Sequence, residues 1–158
     1  AMKFHQTFNK VLEVVLVFFT SILVLDVLWQ VFSRYIMNSP SSFTDELAGY
    51  LLIWVSLLGA AYVTGAQEHL AIDILLQRSK PERQFVLKLI IQSVILAFAS
   101  LVLVIGGTWL VYTRFVLDVK SAALEIPLGY VYSVVPVSGL IIVYYSIVHL
   151  LDIIKNKA

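Results

Sequence analysis

Apolar residues fall into four long runs along this chain, separated by short polar segments. The runs lie at about 11–33, 44–66, 86–114 and 126–152. Each reaches the roughly 20 residues that a helix needs to cross the hydrocarbon core of a bilayer. The first is interrupted by Glu13 near its start and by Asp26; the second has no charge between Leu47 and Ala66. The third has none between Lys88 and Arg114, and between Ile126 and Leu151 of the fourth His149 is the only acidic or basic side chain. A transmembrane barrel would show short segments of alternating polarity instead. Only a helix or a closed barrel satisfies every backbone polar group inside lipid, so the runs predict helices.

The connections have their own signals. Asn38-Ser39-Pro40-Ser41-Ser42 is a turn between the first two runs. Ser42 is expected to cap the second helix, with Asp45 three residues on completing a capping box and favouring the helix dipole. Between the second and third runs, residues 69–78 hold an apolar stretch flanked by polar residues, including His69 and Asp73. The stretch is too short to cross, so it predicts a helix lying along the interface, ended by Arg78-Ser79-Lys80-Pro81. Asp118-Val119-Lys120-Ser121 reads as a polar loop before the fourth run, and Pro127 suits a first helical turn. The expected fold is therefore all-α and integral to the membrane. It has four transmembrane helices and a short interfacial amphipathic helix between the second and third, forming a single membrane domain over residues 1–158.

Composition supports the same picture. Of 158 residues, 60% are hydrophobic and 13% charged, and the mean hydropathy is +0.92. A soluble domain carries about 25% charged residues, so lipid must solvate much of this surface. The absence of cysteine removes disulfides, iron–sulfur clusters, thiolate zinc sites and a cysteine nucleophile. No phosphate loop, nucleophile triad or metal-ligand cluster stands out, which argues against an enzyme. No cofactor and no nucleic-acid partner is expected.

The distribution of charge carries more than its sum. Eight Lys and Arg residues fall in the N-terminal tail, the connection after the second run and the C-terminal tail; three, Arg34, Arg114 and Lys120, fall in the other connections. Positive residues stay inside, so both termini are expected in the cytoplasm. Asp26, Trp29 and Gln30 spoil a signal-peptide reading, so the first span is expected to remain as an anchor. There is no internal repeat of the kind that builds a complete secondary transporter.

Asp26 is the most unusual residue, since a carboxylate inside a span costs roughly 2.5–3.5 kcal/mol on insertion scales. With Gln30, Ser33 and Arg34 it forms one polar stripe toward the outer end. The stripe reads either as a buried polar clasp against another helix or subunit, or as a proton or ion relay. Asp45 and Glu46 are adjacent acids at an external helix start, compatible with both capping and partner docking. His5, His69 and His149 all lie near span ends, as solvated or interfacial histidines would, and not at the mid-membrane position a bis-histidine haem needs. Ser56, Ala60 and Thr64, and likewise Ala61 and Gly65, have spacings that allow close helix packing. Gly106-Gly107 and Pro136 with Gly139 mark a bend or a tight crossing. Trp54 lies far enough into its span to pack, whereas Trp29 and Trp109 suit interfacial belts.

One stretch is specific in order and spacing. Gln30 to Pro40 carries Arg34-Tyr35 and the Asn38-Ser39-Pro40 turn. Phe43-Thr44-Asp45-Glu46-Leu47 then opens a helix, followed by Trp54 and Gly59-Ala60-Ala61-Tyr62, and by His69-Leu70-Ala71-Ile72-Asp73. This resembles the small membrane subunit of TRAP (tripartite ATP-independent periplasmic) transporters, the DctQ-like family, over about residues 30–76. Phe43 stands where Trp is common, Asp45 where Glu is common, and Gly49 where a larger residue is usual; Asp26 lies outside the resemblance. The resemblance implies a subunit of a sodium-coupled importer of carboxylate solutes in a bacterial inner membrane. Its expected partners are a large TRAP membrane subunit, a periplasmic solute-binding protein and the lipid bilayer. On this reading the chain is a fixed scaffold that touches neither solute nor sodium. Arg34, Asp45 and Glu46 would face a docking protein, and Asp26, Gln30, Trp54, Gly59, Ala60 and Ala61 would serve subunit packing. Two other readings remain open: a stand-alone oligomeric channel or exporter, and a membrane anchor of a redox complex.

Overall fold

The computed structural model describes the backbone of residues 2–66 and 70–156 and the side chains of 3–66 and 74–156. Helix α1 runs Met2–Tyr35, α2 Ser42–Ala66, α3 Leu70–Gln77 and α4 Pro81–Phe98. A π-helical segment, Ala99–Gly106, continues α4 into α5 at Gly107–Val116; α6 (Leu128–Tyr132) and α7 (Val134–Lys155) follow. Four helical stretches are long and apolar enough to span a membrane: Lys3–Tyr35, Ser42–Ala66, Pro81–Val116 and Leu128–Lys155. The first begins well ahead of the expected residue 11. The third covers 36 residues, roughly 54 Å at 1.5 Å per residue. That exceeds the hydrocarbon thickness of about 30 Å, so its ends reach the headgroups or the helix tilts.

The spans do not stand in chain order. α1 packs on α2, α2 on α7, and α7 on α4 and the π-helical segment. The fourth span therefore sits between the second and the third. It is the central element: 39% of its most apolar window is buried, against 11%, 17% and 6% for the first, second and third. Leu12, Leu58, Val134 and Tyr145 form one core cluster, flanked by Phe8, Phe19 and Trp54. Ala61, Ala99 and Ile142 form a second.

Of the glycines expected to mark a bend or a tight crossing, Gly107 and Gly139 lie at a tight crossing, whereas a Cβ on Gly106 would meet nothing nearer than the Leu101 carbonyl at 3.8 Å. A Cβ on Gly107 would sit 2.8 Å from Val135 Cγ1 and 2.9 Å from the Pro136 nitrogen. One on Gly139 would meet Leu103 Cβ at 2.6 Å and the Val104 nitrogen at 3.0 Å. Leu103 and Val104 belong to the π-helical segment, a widened turn that interrupts an otherwise regular span. Small residues thus let two backbones approach where lipid offers no hydrophobic drive to associate.

Two local expectations need adjustment. The cap of α2 lies one residue earlier than Ser42. The Thr44 amide donates to Ser41 Oγ at 3.4 Å and the Asp45 amide to the Ser41 carbonyl at 3.3 Å. Ser42 is the first helical residue, so Asp45 falls outside the capping-box position. A short helix, α3, forms where the interfacial one is expected, with Ile74 and Leu75 exposed. His69 lies outside the described residues, and so does the side chain of Asp73.

Candidate functional site

The turn Asn38–Ser41 brings the end of α1 back against the start of α2, and Asn38 makes it with a left-handed φ of 50°, a conformation Asn tolerates well. Across that hairpin Gln30 Nε2 donates to Asp45 Oδ1 at 2.6 Å. Ser33 is buried and donates to the Gln30 carbonyl at 3.0 Å, a bond within α1 itself. Asp26 lies one turn deeper and is 8% exposed, with Oδ2 buried and without a hydrogen-bond partner. The clasp anticipated at Asp26 is thus made one turn outward, by Gln30 and Asp45. Arg34 is exposed at the end of the stripe.

Glu46 points the other way, toward the connection between the third and fourth spans. Its carboxylate accepts the backbone amides of Ala122 at 2.8 Å, Ala123 at 3.0 Å and Leu124 at 2.9 Å. The loop is shaped to gather those amides. The Ser121 amide donates to the Ile126 carbonyl at 2.9 Å, the Leu128 amide to the Val119 carbonyl at 2.9 Å, and the Ile126 amide to Ser121 Oγ at 3.1 Å. Asp118 (φ 49°) and Glu125 (φ 55°) take left-handed conformations on either side. Consecutive backbone amides turned to one point form an anion nest, and the anion here is supplied from within the chain. Just inside, Trp54 Nε1 donates to the Val131 carbonyl at 3.0 Å, so Trp54 packs within the chain. Trp29 and Trp109 are exposed, as belt residues would be.

Of the small residues in α2, Ala61, Thr64 and Gly65 are buried inside this chain. Ala60 is exposed, and a Cβ on Gly59 would find nothing within 4 Å. Ala61 and Gly65 thus pack internally, whereas the other stripe is mixed: Ser56 and Ala60 are exposed and Thr64 is buried.

The opposite end of the bundle, which carries both termini, is tied by residues that sequence reading placed in solvent or at the interface. His149 is buried, and its Nε2 lies 3.0 Å from the Thr64 carbonyl. His5 Nε2 lies 3.2 Å from the next carbonyl, that of Gly65. A carbonyl can only accept, so each Nε2 carries the hydrogen. The last carbonyls of α2, which have no partner within the helix, are thereby satisfied from α1 and α7. Tyr145 donates to Asn9 Oδ1 at 3.4 Å, and its ring lies 4.8 Å from that of His5. A Cβ on Gly65 would lie 2.6 Å from that Tyr145 ring. Partners separated by 60 and 136 positions carry no local signal, and sequence reasoning missed them. Among the described residues no group of three or more His, Asp or Glu could hold a metal ion.

Four apolar spans joined by polar ties at both ends define an all-α, multi-pass membrane protein, with open helix faces and exposed polar residues where partners could sit. The chain belongs to the DctQ family: the model for "Tripartite ATP-independent periplasmic transporters, DctQ component" matches residues 23–156. It is 28% identical over 148 residues to a TRAP transporter small permease protein of Haemophilus influenzae, covering 92% of this chain and 89% of that one. It is also 24% identical over 102 residues to the sialic acid TRAP transporter small permease protein SiaQ of Vibrio cholerae, covering 65% of this chain and 59% of the relative. The family consists of transporter subunits.

Proposed function

We propose that this chain is the fixed scaffold of a sodium-coupled TRAP importer for carboxylate solutes, placed in a bacterial inner membrane with both termini in the cytoplasm. Its large membrane partner would carry solute and sodium, and a periplasmic protein would deliver the solute. What carries the reading, beyond family membership, is the pair of polar ties. One set locks α1, α2 and the loop before α6 at one end, and the other locks α1, α2 and α7 at the opposite end. A frame tied at both ends resists the sliding that a transport element must undergo. α1 adds an outward apolar face of Val17, Val24, Leu28 and Phe32, all exposed, which suits burial against a larger subunit. A relative named for sialic acid, itself a carboxylate, supports the solute class.

For docking of the periplasmic protein, Arg34 and Asp45 offer exposed charge directly. Glu46 contributes by holding residues 122–124 in shape. The test is extraction of the tagged chain from its native membrane in mild detergent, with mass spectrometry of what co-purifies. A much larger hydrophobic subunit in roughly equal amount is expected. Recovery of this chain alone as a defined oligomer would overturn the scaffold reading and favour a channel. Reversal of charge at Asp45 is expected to weaken docking of the periplasmic protein, and unchanged docking would remove it from that surface.

A further inference from the structure

At the end that carries both termini, a groove with a volume of about 570 Å³ opens between the start of α4 and the end of α7. Phe85, Val86 and Ile153 form its apolar wall; Glu82, Lys88 and Asn156 form its polar one. We propose that this groove binds the headgroup of an anionic phospholipid, with Lys88 and Asn156 on the phosphate and the apolar wall against the first carbons of an acyl chain.

Depth is the first argument. α3 exposes Ile74 and Leu75, as a helix lying in the interface would. It is fastened to the start of α4 by Gln84, whose Nε2 donates to the Leu76 carbonyl at 3.0 Å and the Ser79 carbonyl at 3.1 Å. The mouth of the groove is therefore held at headgroup level. Lys88 is seven residues beyond Pro81, roughly 10 Å further along the helix, at the edge of the hydrocarbon. From there its amine must reach back to the headgroups while its methylenes stay in apolar surroundings.

Charge is the second. Lys88 is exposed and forms no ion pair with any described residue. Arg78, Lys80 and Arg83 are also exposed beside the groove, and over residues 78–88 these four cations face one carboxylate, Glu82. On α7 Asp152 and Lys155 oppose each other in sign. Glu82 leaves the Lys88 end of the polar wall as the place where a phosphate is attracted. Basic grooves between transmembrane helices on the cytoplasmic side recognise acidic lipid headgroups by this combination. A zwitterionic lipid would satisfy the apolar wall and leave the cations unbalanced. The inference rests on the membrane-spanning fold and on the proposed orientation with this end in the cytoplasm, and it is independent of the scaffold role.

The test uses the full chain with whatever subunits it carries, extracted in detergent and exchanged into mixed micelles of phosphatidylglycerol and phosphatidylcholine with matched acyl chains. Native mass spectrometry then reads the retained lipid. Wild type is expected to retain phosphatidylglycerol about tenfold over phosphatidylcholine, Lys88→Glu to lose that preference, and Lys88→Arg to keep it. Lys10→Glu, on α1 and outside the groove, should retain it as well. Millimolar inorganic phosphate is expected not to displace the lipid; displacement would reduce the groove to a simple anion site. Equal retention of both lipids by wild type, or an undiminished preference in Lys88→Glu, overturns the proposal. Should Lys88→Glu fail to fold, the wild-type comparison and Lys88→Arg still decide it. Co-purification of the large subunit is a separate readout, so the two proposals fail independently.

Discussion

Glu46 shows how one side chain can organise a loop it does not belong to. Three amides converge on its two oxygens, and charge-assisted bonds of this kind are the strong ones. In Glu46→Gln, one oxygen becomes an amide nitrogen that can only donate, turned toward backbone N–H groups. Hydrogen exchange at Ala122, Ala123 and Leu124 is expected to rise at least several-fold, while exchange within α7 stays as it was. Unchanged protection in the loop would show that its own turn bonds suffice. Trp54 offers a simpler case. Trp54→Phe keeps the ring against Phe19, 5.9 Å away in the wild type, and removes only the indole bond to the Val131 carbonyl. A buried hydrogen bond is worth about 0.5–1.5 kcal/mol, so a modest fall in detergent melting temperature is expected.

Helices in lipid associate through shape, which makes the crossing of α7 with the π-helical segment and α5 the critical junction. Gly139→Leu would force a side chain into the 2.6 Å gap beside Leu103 Cβ and against the Val104 backbone. Overpacking of this sort costs about 1–3 kcal/mol, visible as a lower melting temperature and early aggregation on size exclusion. Gly49→Ala is the matched control, because its Cβ would meet nothing within 4 Å; its melting temperature should stay level or rise slightly. Equal loss in both would mean that glycine flexibility, and not close approach, matters at Gly139.

For the whole molecule, an even number of spans puts both termini on one side, and on the proposed orientation that side is the cytoplasm. Fluorescent-protein fusions at either end are expected to mature and fluoresce. Alkaline phosphatase inserted after Asp118 should be active, because only the periplasm supports its disulfides. Active phosphatase at the termini would reverse the assignment and with it the outward placement of Arg34, Asp45 and Glu46. The helix order, with the fourth span between the second and third, also leaves α1 and α4 flanking the row. On the proposed scaffold role, those flanks are where a larger partner and lipid would meet the chain.

Run length and the lack of charge determined four spans from sequence alone, because a bilayer demands about 20 apolar residues and tolerates little else. The amphipathic segment after the second span was legible for a related reason, since α3 is too short to cross and apolar enough to lie down. The ordered motif from Gln30 to Asp73 was sufficient to indicate the family. Three features were decided only by tertiary structure. Apolar side chains facing lipid are nearly interchangeable, so nothing along the chain says that α7 is central or that α1 chooses α2. Glu46 could as well have faced a partner; only the folded loop brings the amides of residues 122–124 within 3.0 Å of it. His5 and His149 looked like residues of the interface, yet they close the end of α2, because a helix terminus held inside a bundle must find donors for its last carbonyls wherever the chain can supply them.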